Sequence, residues 1–203
     1  MDLTEQTGDS LTELFHIGFA RAAFSLSELT GKRVSLDAPK VSIHPLHELP
    51  RMFNLLEEDQ EMASIHQFFS GEVAGNSLLL LDYEGARHLC GLLNPARVTI
   101  QPLVLDDSDC EVLTEVGNIL LNACLGTFGN ILKIHISFMV PKMHVQSIPA
   151  LFDSLVIDKK ELHYAIIAFT RFQVRDSSIG GHLVIVVGIS SLKNLMDAIE
   201  RLD

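Results

Sequence analysis

The stretch 113–142, "LTEVGNILLNACLGTFGNILKIHISFMVPK", occurs twice in this chain in related form. The stretch 11–40, "LTELFHIGFARAAFSLSELTGKRVSLDAPK", aligns with it without gaps at a shift of 102 residues. Seven residues of the first copy recur unchanged in the second: Leu11, Thr12, Glu13, Ile17, Ser35, Pro39 and Lys40. The residue class is also kept where Val34 aligns with Ile136 and Leu36 with Phe138. A repeat at this spacing predicts an internally duplicated chain.

The later parts of the two halves also predict the same elements, a hairpin followed by a short helix. The segment "IHQFFSGEVAGNSLLLLD" predicts a β-hairpin about Gly71 and Gly75, and "AIIAFTRFQVRDSSIGGHLVIVVG" predicts another about "DSSIGG". Short helices are predicted after them, over "YEGARHLCGLL" and "SLKNLMDAIERL". We therefore expect one α/β (α+β) domain made of two repeats, about 9–95 and 107–203. Its two long helices should pack with pseudo-twofold symmetry on a shared β-sheet core.

Capping residues predict where the long helices begin and end. "TGDS" before Leu11 and "DDSD" before Cys110 offer the acceptors that a helix N-terminus needs. The first helix should end near Thr30-Gly31, where glycine can take a left-handed conformation. Between the halves, "NPARVTIQPLVLDDSDC" predicts a strand followed by a cap. Within the first half, "MFNLLEEDQEM" predicts a surface helix.

Composition excludes several classes of protein. The chain has 203 residues and a net charge of −11, which disfavours nucleic acid and anionic membranes as partners. Its three cysteines, Cys90, Cys110 and Cys124, have no CxxC spacing, so a reducing compartment fits best. The polar, acidic start "MDLTEQTGDS" does not resemble a signal or transit peptide, and no apolar run approaches the roughly 20 residues of a membrane span. We expect a cytoplasmic protein.

A row of polar residues interrupts the second long helix. Glu111, Glu115, Asn118 and Asn122 are spaced i, i+4, i+7 and i+11, and a helix turns by about 100° per residue. These four side chains therefore share one edge of an otherwise apolar helix. A single asparagine in a helix is usually a local hydrogen-bonding or surface residue, but the row as a whole calls for an explanation.

The row fits a known motif. Both long helices follow the spacing of the pattern (acidic or Ser)-x3-Glu-x2-Asn-x22-Pro, although the first has His16 at the asparagine position. In this the chain resembles the CheC, CheX and FliY group of chemotaxis phosphatases. The second half supplies Glu111, Glu115, Asn118 and Pro141, with "EVGNI" close to the group's typical helix. The first half supplies Asp9, Glu13, His16 and Pro39, and "LTGKRVSLDAPKV" after its helix is also similar to that group. The resemblance covers nearly the whole chain.

The resemblance implies a function. Proteins of this group remove the phosphoryl group from the aspartate of phosphorylated CheY-type response regulators, and the Mg²⁺ they need belongs to the regulator. By position, Glu115 would pair with a lysine of the regulator and Asn118 would orient the attacking water. No cofactor of the chain's own is implied. Glu111 and Asn122 are equally compatible with contacting a partner and with solvating the helix.

These residue types suit the chemistry. An acyl phosphate in a metal-loaded site is already activated, so phosphoryl transfer needs mainly positioning and charge stabilisation. A neutral amide can hold a water molecule without a tuned pKa, because it has both donors and an acceptor. A glutamate in the same place would repel the phosphoryl group, whereas opposite a lysine it orients the two proteins and speeds their encounter.

The first half departs from the motif at His16. We interpret Glu13 and His16 as a degenerate or second site, with Glu13 kept for docking; the alternative is that the imidazole positions water as an amide would. Ala20, one turn further, also favours partial conversion to a scaffold. The rival function is thus a non-catalytic module that binds a response regulator, the deamidase CheD or the flagellar switch.

Other groups of residues give weaker evidence of function. The pair in "HPLH", His44 and His47, has no carboxylate or cysteine cluster to complete a metal site, so no metal is expected. The sequence has no Gly-rich phosphate loop, nucleophile elbow or HExxH motif.

Overall fold

The computed structural model describes residues 5–49, 61–93, 104–147, 150–151, 155, 163–174 and 177–202. Its helices are α1 (Glu5–Thr30), α2 (Tyr83–Leu93), α3 (Asp107–Leu132) and α4 (Ile189–Glu200), with a 3₁₀ turn over Leu46–Glu48. Its strands are β1 (Val34–Leu36), β2 (Lys40–Pro45), β3 (Glu61–Gly71), β4 (Gly75–Asp82), β5 (Ile136–Phe138), β6 (Lys142–Ser147), β7 (His163–Val174) and β8 (Ser177–Gly188).

All eight strands join one antiparallel sheet. Its order is β1-β7-β8-β4-β3-β5, with β2 also pairing with β7 and β6 also pairing with β3. The short strands after each long helix therefore extend the hairpin of the other half, and β4 and β8 pair at the centre. The expected α+β fold, with two long helices on a shared sheet, is confirmed.

The strand pairings of the two halves correspond residue by residue. Lys40 pairs with Phe169, and Lys142, 102 residues later, pairs with His66. Residues of the β3 strand correspond to residues of β7 that lie 103 positions later in the chain. Phe169 is therefore the equivalent of His66. This regularity agrees with the predicted repeats at about 9–95 and 107–203, although the duplication itself remains a prediction.

The main core lies between the long helices and one face of the sheet. Phe15 of α1 meets Phe128 of α3 edge to face, with ring centroids 5.1 Å apart, and Gly18 lies against Cys124. Because these contacts run in opposite sequence directions, the two helices are antiparallel. A second, smaller core covers the other face of the sheet; it consists of Leu46, Leu49, Met62, Leu78, Leu80, Leu151, Leu155, Ala165, Ile167, Val184 and Val186.

The close approach of α1 to α3 depends on Gly18. A Cβ added at Gly18 would lie 2.8 Å from Cys124 Cα, a backbone atom that cannot move aside, whereas a Cβ at Gly126 of α3 would meet nothing within 4 Å. We expect Gly18→Ala to destabilise the fold by about 1–3 kcal/mol, since the helices must separate. Gly126→Ala should instead stabilise it by up to about 1 kcal/mol through helix propensity. Urea denaturation of both variants checks this, and a stabilised Gly18→Ala would contradict it.

Several local predictions are confirmed. Helix α2 has the predicted bounds, and α1 ends at Thr30 before Gly31, whose φ is +62°. The cap before Cys110 is a capping box: the side chain of Asp106 accepts from the Asp109 nitrogen at 2.9 Å, and that of Asp109 accepts from the Asp106 nitrogen at 3.1 Å. Pro39 and Pro141, both buried, immediately precede β2 and β6.

Two local predictions are wrong. "TGDS" does not start α1, which already runs from Glu5; Thr7 is buried within the helix, and Thr12 Oγ1 donates to the Gly8 carbonyl. "SSIGG" is not a turn, because Gly180 and Gly181 lie inside β8 and pair with β7. A Cβ at Gly181 would lie 2.8 Å from the Phe172 ring and 2.9 Å from Leu81, so this glycine makes room for core side chains.

Parts of two further predictions lie outside the described residues: the strand over 94–103 and the surface helix over 52–60. The end of that helix segment, Glu61 and Met62, begins β3 instead. Among the helices that the structure describes, only α3 is long and apolar enough to cross a membrane, and half of its most apolar window is buried inside the fold. A core helix has this composition because it packs against α1 and the sheet.

Candidate functional site

The polar row of α3 forms the outer edge of that helix. Glu111 and Glu115 are exposed, whereas Asn118 and Asn122 are half-buried. The opposite side of α3 faces the core and is held close to β3, since a Cβ at Gly117 would lie 2.6 Å from Ile65 Cγ2. A rigid, tightly seated helix therefore carries the carboxylate of Glu115 and the amide of Asn118 one turn apart.

A chain of hydrogen bonds fixes the amides in this row. Asn122 Nδ2 donates to Asn118 Oδ1 at 2.7 Å. Gln67 Nε2 in turn donates to Asn122 Oδ1 at 3.1 Å and to the Met139 carbonyl oxygen at 3.0 Å. Gln67 is only 1% exposed, so the amide row is anchored in the sheet. We call Gln67, Asn122 and Asn118 the amide relay.

The relay leaves Asn118 able to make new contacts. Its Oδ1 accepts one hydrogen bond and has a second lone pair, and among the described residues its Nδ2 has no partner. Because the bond from Asn122 restricts rotation of the amide, a water or oxyanion at this edge would meet a preset donor and acceptor. The structure thus places Asn118 and Asn122 in direct contact and leaves Glu115 and Glu111 free of ion pairs with described residues.

Gln67 was not predicted from the sequence. Strand alternation could have indicated it, because Gln67 shares the helix-facing side of β3 with Ala63, Ile65 and Phe69. A single polar residue in such an apolar row must find a buried partner. The partner lies 55 positions later in the chain, and the sequence does not indicate which one it is.

The first-half residues form a different arrangement. His16 Nδ1 lies 3.6 Å from Glu13 Oε2, and the two side chains are 44% and 67% exposed. Glu13 and His16 are therefore neighbours on the outer edge of α1, as their spacing predicts.

The relay has no counterpart on α1. At the position of Gln67 the second hairpin has Thr170, whose Oγ1 donates at 2.9 Å to the carbonyl of Asp37, the residue equivalent to Met139. The contact to the loop carbonyl is thus present in both halves. However, the shorter Thr170 has no hydrogen bond to α1, and Ala20 offers no amide where α3 has Asn122.

The described cysteines and histidines do not form a metal-binding group. Cys90, Cys110 and Cys124 are not in disulfide bonds, and burial raises the pKa of Cys124 well above its ordinary value. No group of three His, Cys, Asp or Glu side chains that could hold a metal ion occurs among the described residues. His44 lies on β2 and His47 in the 3₁₀ turn that follows.

Comparison with known proteins supports the resemblance seen in the motifs. No family model matches the chain. The CheY-P phosphatase CheC of Bacillus subtilis (strain 168) is 20% identical over 201 residues, which cover 97% of this chain and 95% of that protein. Thermotoga maritima FliY has the same fold, with a TM-score of 0.78, 16% identity and complete coverage of both chains.

Two solved complexes contain chains with related folds. A chain of the CheX–CheY–BeF3–Mg complex of Borrelia burgdorferi matches with a TM-score of 0.51 and 16% identity, covering 85% of this chain and 97% of that one. A chain of the FliG–FliM complex of H. pylori matches with a TM-score of 0.66 and 10% identity, covering 96% and 100%. The chain is therefore similar to CheC over nearly its whole length, and it has the fold of FliY, which the FliM middle domain shares.

Proposed function

We propose that this protein hydrolyses the aspartyl phosphate of a CheY-type response regulator, using Glu115 and Asn118 on the outer edge of α3. The observation that carries the proposal is the amide relay, which holds Asn118 at the surface in one orientation. The relative described as a CheY-P phosphatase and the likeness to a chain of a CheX–CheY complex support the choice of substrate.

The proposed reaction needs little from α3 beyond positioning. Asn118 Oδ1 accepts a hydrogen bond from a water molecule and orients it in line with the aspartyl–phosphorus bond. The water oxygen bonds to phosphorus as the bond to the aspartyl oxygen breaks, which yields inorganic phosphate and a free aspartate. Mg²⁺ held by the regulator would supply the charge stabilisation that the phosphoryl oxygens need. Asn118 Nδ2 can donate to one of those oxygens.

Glu115 would set the docking geometry. It is exposed and three residues before Asn118, so both side chains can reach one partner surface. A lysine of the regulator opposite Glu115 would place the phosphoryl group next to Asn118. The electrostatic attraction also speeds encounter, and it weakens as salt rises.

We expect Glu115→Gln to raise KM for the phosphorylated regulator by about tenfold with little change in kcat, because a charge-assisted contact is lost before chemistry. Steady-state dephosphorylation at two salt concentrations measures this. Glu111→Gln is the matched control, one turn earlier on the same edge, and should change KM by less than about threefold. Equal effects of the two variants, or a loss confined to kcat, would contradict the docking role.

The function itself is tested by following the decay of a phosphorylated CheY-type regulator with and without the full chain. Acceleration of the decay by catalytic amounts of protein is the expected result. Binding of the regulator without any acceleration would show that the α3 edge is a docking surface and that the phosphatase assignment is wrong.

A second candidate is non-catalytic binding through α1. Its outer edge has the Glu13–His16 pair and no amide relay, and the same helix exposes Phe24 (65%) and Leu29 (59%). The fold shared with FliM, solved in complex with FliG, is compatible with a scaffold role. A partner that binds equally well to wild type and Asn118→Ala, but loses affinity with Glu13→Ala, would assign α1 to docking. Binding of CheD remains a prediction from the motif resemblance.

A further inference from the structure

A cavity of about 310 Å³ lies on the face of the sheet opposite the helices. It is formed by β3, β4 and β6 together with the loop before β6, and its described lining residues are His66, Phe68, Asn76, Met139, Val140, Lys142, His144 and Gln146. A volume of this size suits a small organic molecule. None of the residues proposed for phosphatase chemistry lines it.

Two buried polar groups in the cavity have no hydrogen-bond partner among the described residues. Asn76 is 1% exposed, yet neither its Oδ1 nor its Nδ2 is hydrogen-bonded to a described residue, and the same holds for the buried Nε2 of Gln146. An unsatisfied buried amide destabilises a fold, so native structures rarely keep one unless a water molecule or a ligand pairs with it. Asn76 therefore presents a donor and an acceptor side by side to the cavity.

The charge of the lining favours an anion. Lys142 supplies an ammonium group, and no described lining residue is a carboxylate, although the chain as a whole carries −11. His66 is neutral at pH 7, because burial and then the neighbouring His144 lower its pKa from 6.5 to about 4. The aromatic and aliphatic side chains of Phe68, Met139 and Val140 add an apolar wall.

The equivalent position on the β7–β8 hairpin of the second half has different residues. By strand pairing, His66 corresponds to Phe169 and Asn76 to Gly180, because Phe68 pairs with Asn76 and Arg171 with Gly180. A Cβ at Gly180 would lie 3.5 Å from the Phe169 ring, so that ring lies next to the position that the Asn76 side chain takes in the other half. The fold thus does not require a buried amide at this position.

We infer that this cavity is a binding site for a small organic anion. Lys142 would pair with the anionic group, the amides of Asn76 and Gln146 would hydrogen-bond the ligand, and Phe68, Met139 and Val140 would contact its apolar part. The site is separate from the proposed phosphatase edge, and its test does not depend on phosphatase activity.

The test uses benzoate and its neutral isostere benzamide as probes, titrated into the full chain and followed by calorimetry and by NMR of the side-chain amides. We expect benzoate to bind at least about tenfold more tightly than benzamide, with shifts at Asn76 and Gln146. Lys142→Met should weaken benzoate binding by about tenfold. Lys40→Met, at the equivalent position of β2, is the matched control and should leave binding unchanged.

Asn76→Leu separates a ligand site from a structural role. It should abolish benzoate binding and leave the Tm equal to or higher than that of wild type, because the replaced amide has no partner in the fold. The inference is overturned if benzoate fails to bind below about 10 mM, if benzamide binds equally well, or if inorganic phosphate is the only anion bound. It is also overturned if Asn76→Leu binds benzoate like wild type.

Discussion

Asn118→Ala is expected to lower the rate at which this protein dephosphorylates a CheY-type regulator by about 100-fold. A loss of this scale is seen when one positioned polar group is removed from a reaction centre. The alanine cannot hold the attacking water, while the rest of the α3 edge is unchanged. Single-turnover decay of the phosphorylated regulator measures the loss in the chemical step. Binding of the regulator should be retained, since Glu115 remains.

The chain offers a matched control for this experiment. His16 occupies the position equivalent to Asn118 on α1, but it pairs with Glu13 and has no amide relay behind it. His16→Ala should therefore leave the rate within about twofold of wild type, as expected for an exposed side chain outside the reaction centre. If His16→Ala and Asn118→Ala reduce the rate equally, the two halves share the chemistry and the assignment to α3 is wrong.

Phe15→Ala is expected to destabilise the protein by about 4 kcal/mol, because it removes a fully buried aromatic side chain. Phe15 is 0% exposed and its ring packs edge to face against both Phe19 and Phe128. The alanine would leave a cavity where α1 crosses α3, and backbone contacts there prevent the helices from closing it. For a chain of this size, thermal unfolding should shift by on the order of 10 °C.

Phe24→Ala is the control on the same helix. Phe24 is 65% exposed, so its removal should change the free energy of unfolding by no more than about 0.5 kcal/mol. Guanidinium denaturation of both variants gives the comparison. Similar losses would mean that Phe24 is covered in solution, in conflict with its position on the outer side of α1.

The candidate site was predicted only in part. The spacing of Glu111, Glu115, Asn118 and Asn122 predicts a shared helix edge, and the structure places them there. Their catalytic roles remain a proposal. Asn122 could not be distinguished from a solvating residue, because its partner Gln67 lies on a strand 55 residues away and only packing of α3 on β3 brings them together.

The errors in the sequence predictions have one physical origin. "TGDS" offers good N-cap residues, but α1 continues through them, with Thr7 buried in the fold. "SSIGG" has the composition of a turn, but β7 provides strand partners for both glycines and Phe172 fills the space beside Gly181. Local propensities amount to a fraction of a kcal/mol per residue, and tertiary packing overrides them.

The sequence by itself determined the helices, the hairpins and the polar edge of α3, because helical and strand periodicities are local properties of the chain. Its repeated stretch also predicted two helices on one shared sheet. The tertiary structure alone decided that β1 and β2 pair with β7 and that β5 and β6 pair with β3. It also decided that Gln67 anchors the amides and that Asn76 faces a cavity. These contacts join residues far apart in the chain, and their choice depends on the packing of the whole fold.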